Sequence, residues 1–417
     1  MVFLPSEILA AILEEVNDIR DLRNVRTANR TLCAAATPIA FRFLSVITTQ
    51  SSAQNLKRLF DVPEIAAHIR EVSYRDTGAD RRGRTRKYGA SSTSHPVNIS
   101  VNLSWRVMPV RPSIIKSIIG ELACLFSRVH QLPRLETINL MFYRRWSGSD
   151  SKGHIHLLEQ SILGALAASF SIRAPPRLTS LSLHNIYPSV ISSFDSPPIQ
   201  TVLKTLRHLQ LFMILDMNAP LDHWYHFWGA LCPRIFLAPT QHSLTELTLQ
   251  SNVYFGASSG LSLRELDFPR LCALSLCNLV FDRSVGVEYF VLRHASTLAR
   301  LELLKCKLPI DRNKQLPIPD PSTILARDDE SGFGLDCWCG IWDRFAAELT
   351  TLIVLRVDER RPNLWVGASS ECRYVSSGPC AYWEADVSES RNVADTEALR
   401  RFQTTVAARS EEMRQKS

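Results

Sequence analysis

Glycine is scarce in this chain, at 16 of 417 residues. Nucleotide-binding enzymes cradle phosphate on glycine-rich loops, and neither G-x-x-x-x-G-K-[ST] nor G-x-G-x-x-G occurs here. The metalloprotease pattern H-E-x-x-H is also missing. Long apolar runs are missing too. The stretch 209–215 falls far short of the ~18 residues a membrane helix needs. The opening Met1-Val2-Phe3-Leu4-Pro5-Ser6-Glu7 has no basic region ahead of an apolar one, so no secretory signal is visible. These absences point to a cytoplasmic or nuclear protein, without membrane contact, whose ten scattered cysteines are reduced and mostly buried.

Charge is also unevenly supplied. The formal net charge is +7, and the segment 75–90 alone carries +4: Arg75, Arg81, Arg82, Arg84, Arg86 and Lys87 against Asp76 and Asp80. Ser/Gly-rich neighbours make 80–96 a loop. With Tyr88 its one interleaved aromatic, it reads as a solvated insertion in preference to a nucleic-acid platform.

Metal and catalytic constellations are thin. The pairs His154-x-His156 and His223-x-x-His226 have no Cys or acid cluster at matching spacing. The nearest thing to a zinc arrangement is Cys337-x-Cys339 with Cys372 and Cys380 downstream. It lacks C-x-x-C spacing and falls on a predicted helix, so buried core cysteine is the expectation. No metal, cofactor or catalytic residue is assigned, and the chain is expected not to be an enzyme. The aromatic cluster 223–228 reads as a packed helix.

Leucine is abundant, with 53 residues. Five strict L-x-x-L-x-L triplets start at Leu178, Leu206, Leu244, Leu271 and Leu298, where chance predicts roughly one. Looser copies fit at Leu135-x-x-Ile138-x-Leu140, at Leu349-x-x-Leu352-x-Val354 and at Ile69-x-x-Val72-x-Tyr74. From Leu135 onward the separations are 43, 28, 38, 27, 27 and 51, and the short values lie within the 20–29-residue repeat class. The copy at Leu244 extends to Asn252, and the copy at Leu298 reaches Cys306 at the Asn/Cys position. That is the leucine-rich-repeat signature. In each copy x-L-x-L forms a short strand with alternate residues inward. The Asn side chain is expected to satisfy stranded backbone groups in the turn. Helical spacing over 114–129, 157–170, 285–294 and 337–349 returns the chain to the next strand, and a terminal helix covers 395–414. An array of this kind stacks its strands on a concave face with helices outside.

The first fifty residues differ. Pro5 suits the start of a helix, Glu7 its first turn, and Ile8, Leu9, Ile12, Leu13 and Val16 share one apolar face. Asn17-Asp18 caps a second helix carrying Ile19, Leu22 and Val25, and a third begins near Thr31 and meets Pro38.

The pattern Leu4-Pro5-x-Glu7-Ile8-Leu9, then Ile12, Asp21-Leu22 and Val25-Arg26-x-x-Asn29-Arg30-x-Leu32, resembles the F-box of fungal F-box proteins. The resemblance covers about the first tenth of the chain. It implies docking on a Skp-type adaptor of a cullin–RING (SCF-type) ubiquitin ligase. Leu4, Pro5, Ile8, Leu9 and Ile12 would face the adaptor, while Leu22, Val25 and Leu32 join that surface or the small core. Many members carry a Trp in the third helix, whereas the first Trp here is Trp105.

The expectation is therefore an α/β chain with a three-helix F-box at 1–48 and an irregular leucine-rich-repeat solenoid at 49–390. Insertions fall at 75–98 and 309–332, a C-terminal cap closes the array, and a helix or tail occupies 391–417. The expected function is substrate recognition for the ligase, with the adaptor and an unidentified protein substrate as partners. The alternative is a non-catalytic repeat scaffold whose N-terminal helices only cap the array.

Overall fold

In the computed structural model, the structure describes residues 5–16, 18–76, 112–142, 152–187, 194–215, 221–256, 259–310, 337–358, 374–377, 382–384 and 389–416. The expected basic loop at 81–87, most of the 309–332 insertion, Leu4, Cys372 and Cys380 lie outside the described residues.

The chain opens with helices α1 (Ser6–Glu14), α2 (Ile19–Ala28) and α3 (Arg30–Ala40). Strand β1 (Phe43–Ile47), helices α4 (Gln50–Phe60) and α5 (Pro63–Ala66), and strand β2 (Glu71–Arg75) follow. Next come α6 (Pro112–Phe126), β3 (Thr137–Met141), α7 (Lys152–Ile172), β4 (Ser180–Ile186), α8 (Pro197–Leu203) and β5 (His208–Met213). Helix α9 (Leu221–His226) runs into a π-helical stretch, Phe227–Leu237, and then into α10 (Ala238–Thr240). The remainder is β6 (Glu246–Phe255), β7 (Ala273–Leu279), α11 (Val287–Arg293), β8 (Arg300–Leu304), β9 (Leu308–Ile310), α12 (Trp338–Glu348), β10 (Val354–Asp358), β11 (Tyr374–Ser377), β12 (Tyr382–Glu384) and α13 (Glu389–Lys416).

The fold is α/β. A nine-stranded, mostly parallel sheet runs in the order β1-β2-β3-β4-β5-β6-β7-β8-β10, and a three-stranded sheet runs β12-β11-β9. Chain order equals sheet order throughout the large sheet, as a chain of strand–crossover units requires. The described residues divide into two compact units, with the change from the first to the second inside β5 at Leu211. No helix among the described residues is long and apolar enough to cross a membrane.

Register fixes the repeat frame more firmly than spacing does. In the first unit the carbonyl of Arg42 accepts from two successive N–H groups, Arg70 and Glu71. Arg70 does the same for Glu136 and Thr137, Glu136 for Thr179 and Ser180, and Thr179 for Arg207 and His208. In the second unit Thr245 serves Cys272 and Ala273, Cys272 serves Ala299 and Arg300, and Ala299 serves Ile353 and Val354. Each of these carbonyls belongs to the residue just after the first apolar position of a copy.

Two adjustments follow from this register. The last copy is Leu352-x-x-Leu355-x-Val357, three residues later than the frame at Leu349, because Leu355 pairs with Leu301 and Val357 with Leu303. In the earlier frame Val354 would be a core residue, yet it is 44% exposed. An additional copy, Phe41-x-x-Leu44-x-Val46, leads the array: Leu44 pairs with Val72 and Val46 with Tyr74. Its strand β1 lies inside the 1–48 segment. Phe41 and the single leucine hid the copy from a search keyed on leucine triplets.

The inward positions are buried as the alternation requires. Leu244, Leu247 and Leu249, Leu271, Leu274 and Leu276, and Leu298, Leu301 and Leu303 are all nearly inaccessible. Each such leucine contributes about 1.5–3 kcal/mol of burial. The helices form where expected, with ends shifted by a few residues. Helix α12 starts at Trp338 and not at Cys337, a shift with chemical consequences described below.

The turn after the strand uses a left-handed residue at a fixed place. Asn185, Asn278 and Lys305, each seven residues past the first leucine of its copy, have φ of 60°, 62° and 53°. Asparagine tolerates this conformation better than most side chains. Asn185 Nδ2 donates to the Phe142 carbonyl at 2.8 Å, and Asn278 Nδ2 to the Ser251 carbonyl at 2.6 Å. Both acceptors hold the same register position one copy earlier. Asn252, the residue of the extended motif, accepts from Leu215 N–H at 2.7 Å and donates to the Leu215 carbonyl at 3.3 Å. Cys306 Sγ donates to the Leu276 carbonyl at 3.4 Å.

Candidate functional site

The N-terminal helices are held by their own caps and core. The Asp18 carboxylate accepts from Arg20 N–H, and the Asn29 side chain from Leu32 N–H, both at 2.8 Å. Arg26 Nε donates to Thr37 Oγ1 at 3.0 Å, and its guanidinium lies 4.5 Å from the centre of the Phe41 ring. The core is Leu13, Leu22, Ala36 and Ala40, flanked by Leu9, Val16, Val25, Ala35, Ile39 and Phe41. Every member of that cluster lies between Leu9 and Phe41.

The residues singled out by sequence separate into two groups. Pro5 is exposed, and Ile8 and Ile12 are 49% and 51% exposed. A spacing of four puts Ile8 and Ile12 on one face of α1, one turn apart. Leu22 is buried, Leu9 and Val25 are half-buried against the core, and Leu32 is half-buried. Thus Pro5, Ile8 and Ile12 form an outward apolar row, while Leu9, Leu22 and Val25 support it from within.

A second surface is the face of the sheet opposite the buried leucines. In the first unit Ser45, Ser73, Asn139 and Ser182 stand in register on adjacent strands. Their hydroxyls and amide line a stripe without charge. In the second unit Thr248, Ser275, Glu302 and Arg356 occupy the corresponding row, and Glu246, Ala273, Arg300 and Val354 the row before it. The small side chain of Ala273 lets Arg300 reach across to Glu246 at 2.9 Å. Ser275 Oγ donates to Glu302 at 3.1 Å. Arg356 is exposed and forms no ion pair among the described residues. The rows flanking the first unit's stripe carry Glu71 and Arg75, so charge occurs on this face in both units.

Histidines and buried acids serve structure. His223 and His226 are exposed on α9, while Trp224, Phe227 and Trp228 of the same segment are buried. His130 N–H donates to Ser169 Oγ at 2.8 Å, so that serine is engaged by backbone. Glu159 is fully buried and accepts from Tyr187 N–H at 2.9 Å; burial holds its carboxyl well above the usual range. Burial lowers His184 to about 4.

The expectation of reduced, mostly buried cysteines fails at two places: Cys124 and Cys272 are exposed, and the Cys337–Cys339 pair is oxidised. Cys337 and Cys339 are joined by a disulfide, with their Cα atoms 5.4 Å apart. On a continuous helix, side chains two apart face different directions. Cys337 instead precedes the helix with extended backbone, φ −151° and ψ 154°, and its Sγ folds back over the first turn to accept from Gly340 N–H at 3.4 Å. Beside it Cys339 N–H donates to Asp395 Oδ1 at 2.8 Å. Tyr374 Oη donates to Asp395 Oδ2 at 2.5 Å and accepts from Trp338 N–H at 3.2 Å. The Tyr374 hydroxyl is pushed up by burial and by the adjoining carboxylate. No spacing rule joins Asp395 to Cys337. Only the packing of α13 and β11 against the start of α12 brings them together.

No family model matches the chain, and no curated protein matches it.

Proposed function

We propose that the chain is a substrate-recognition subunit of a cullin–RING ubiquitin ligase, with α1–α3 acting as an F-box on a Skp-type adaptor. The observation that carries this reading is the exposed row Pro5, Ile8 and Ile12 on a three-helix unit with its own core. The sequence pattern that opens that unit resembles the F-box. The repeats, read as a leucine-rich-repeat solenoid, present the polar face of their strands to a protein substrate. Such a subunit catalyses nothing; it raises the effective concentration of substrate beside the ubiquitin-carrying enzyme.

Affinity purification of the full chain followed by mass spectrometry tests this. Adaptor and cullin should be recovered with the wild type and lost with Ile8→Asp/Ile12→Asp. Equal recovery with both proteins would refute the reading. Ile8 and Ile12 suit the test better than Leu9, whose side chain also packs in the core.

A second reading, in which α1–α3 merely cap the array, is favoured by β1 beginning only three residues after α3 ends. Deleting residues 1–40 separates the two. A cap deletion lowers the melting temperature of the repeats, whereas loss of a docking module leaves it nearly unchanged. The cut stops at 40 because β1 pairs with β2.

A further inference from the structure

The start of α12 gathers an unusual set of groups. The Sγ atoms of Cys337 and Cys339 and a carboxylate oxygen of Asp395 all lie within 4.8 Å of one another. Asp395 is fully buried, Cys337 nearly so, and Cys339 half-buried. Three segments position them. Trp338, between the cysteines, is buried against Phe281 and stacked on Trp342 with ring centres 4.7 Å apart. Asp395 comes from α13, and Tyr374 of β11 holds its second oxygen.

The first three N–H groups of α12 are all directed at this cluster. Trp338 N–H donates to the Tyr374 hydroxyl, Cys339 N–H to Asp395 and Gly340 N–H to Cys337 Sγ. A helix start favours anions, thiolates included. Arg391 adds a cation: its Nε donates to the Tyr374 hydroxyl at 3.2 Å, and its guanidinium lies 4.7 Å from the centre of the Tyr374 ring.

We propose that reduction of the Cys337–Cys339 disulfide converts this cluster into a binding site for a zinc-class divalent cation. The ligands are the two thiolates and the Asp395 carboxylate. The reductant is a dithiol: the S–S bond breaks, two electrons and two protons pass to Cys337 and Cys339, and the dithiol leaves as its own disulfide. Cation binding then releases the two thiol protons, because the ligands are the thiolates.

Size and charge both fit. Tetrahedral ligands with Zn–S near 2.3 Å and Zn–O near 2.1 Å sit roughly 3.5–3.8 Å apart, inside the 4.8 Å that spans the three groups. Two thiolates and a carboxylate suit a borderline-soft ion better than magnesium or calcium, which prefer all-oxygen sites. Two thiolates, one carboxylate and a divalent cation leave one net negative charge, beside Arg391. The fourth position falls to water.

Full-length protein, reduced with dithiothreitol and transferred without oxygen into reductant-free buffer, is titrated with cobalt(II). The expected result is a thiolate-to-cobalt charge-transfer band with tetrahedral visible bands, saturating at one equivalent and displaced by zinc. Oxidised protein should show none. Cys337→Ser and Cys339→Ser should each lose the band, and Cys372→Ser/Cys380→Ser should keep it. Asp395→Asn, which retains an acceptor for Cys339 N–H, should keep the band with at least tenfold weaker binding. A reduced wild type without the band, or a Cys337→Ser protein that retains it, overturns the proposal. Should the serine variants misfold, the wild type alone decides: zinc must raise the melting temperature of the reduced form and leave the oxidised form unchanged.

Discussion

Replacing Asn278 separates backbone conformation from hydrogen bonding at the turn of the repeat. Asn278 has φ 62° and donates to the Ser251 carbonyl at 2.6 Å. Alanine there meets a left-handed cost of about 1–2 kcal/mol. It also leaves the Ser251 carbonyl without this donor, at about 1–3 kcal/mol for a buried group. Asn278→Ala should therefore destabilise by about 2–5 kcal/mol. Glycine removes the conformational cost but adds about 0.5–1 kcal/mol of unfolded-chain entropy, so Asn278→Gly should lie roughly 0.5–1 kcal/mol above the alanine variant. Asn278→Asp keeps the shape and loses the donor, since a carboxylate only accepts.

Urea titration followed by tryptophan fluorescence is the assay, because Trp224, Trp228, Trp338 and Trp342 are all buried in the second unit. The midpoint should fall at constant slope. Variants within about 0.5 kcal/mol of wild type would refute the reasoning, since that is the range of inert surface changes. So would an alanine variant more stable than the glycine one. Asn185, bonded to Phe142 in the first unit, should follow the same order.

Glu159 has a raised pKa, so its protonated form belongs to the folded state and its stabilising contribution fades as pH rises above about 4.5. Glu159→Gln should accordingly raise the melting temperature at pH 7 and reduce its pH dependence, read by calorimetry. His184, lowered to about 4 by burial, contributes stability above its unfolded value near 6.5 and loses it as pH falls toward 4. His184→Gln should flatten acid unfolding in that window. Glu288, buried on α11, faces Arg344 of α12 at 2.6 Å. Arg344→Met should cost at most about 3–5 kcal/mol, since Arg283 remains the other cation near that carboxylate, and adding Glu288→Gln should recover part of it, measured as urea midpoints.

Much of the fold was legible because burial imposes a period. Leu181 and Leu183, or Leu274 and Leu276, alternate inward only if the segment is a strand, and the interval to the next triplet leaves room for a helix. Two copies escaped for related reasons. Phe41-x-x-Leu44-x-Val46 buries chemically mixed residues, so frequency arguments pass over it. At the other end Leu349 and Leu352 both lie in the core, and spacing alone does not say which one opens the frame. Hydrogen bonding does, through the Ala299 carbonyl.

The N-terminal surface was half legible. Helical periodicity places Ile8, Leu9, Ile12 and Leu13 on one side, but 3.6 residues per turn is too coarse to tell core from contact within that arc. Packing against Leu22, Ala36 and Ala40 resolves it, taking Leu13 and Leu9 inward and leaving Ile8 and Ile12 outside. Of the cysteine cluster, Cys337-x-Cys339 was legible, but its pairing and its partner Asp395 were not. Its geometry depends on a helix starting one residue later than periodicity implies, and on an aspartate 56 residues away from Cys339.

The central claim is that Ile8 and Ile12 dock on a Skp-type adaptor. Titration calorimetry with purified full-length chain and recombinant adaptor tests it most directly. Saturable binding should occur with the wild type and vanish with Ile8→Asp/Ile12→Asp, whose melting temperature should match wild type because both side chains are already half exposed. Absence of binding by the wild type, or equal affinity in the double variant, would contradict it.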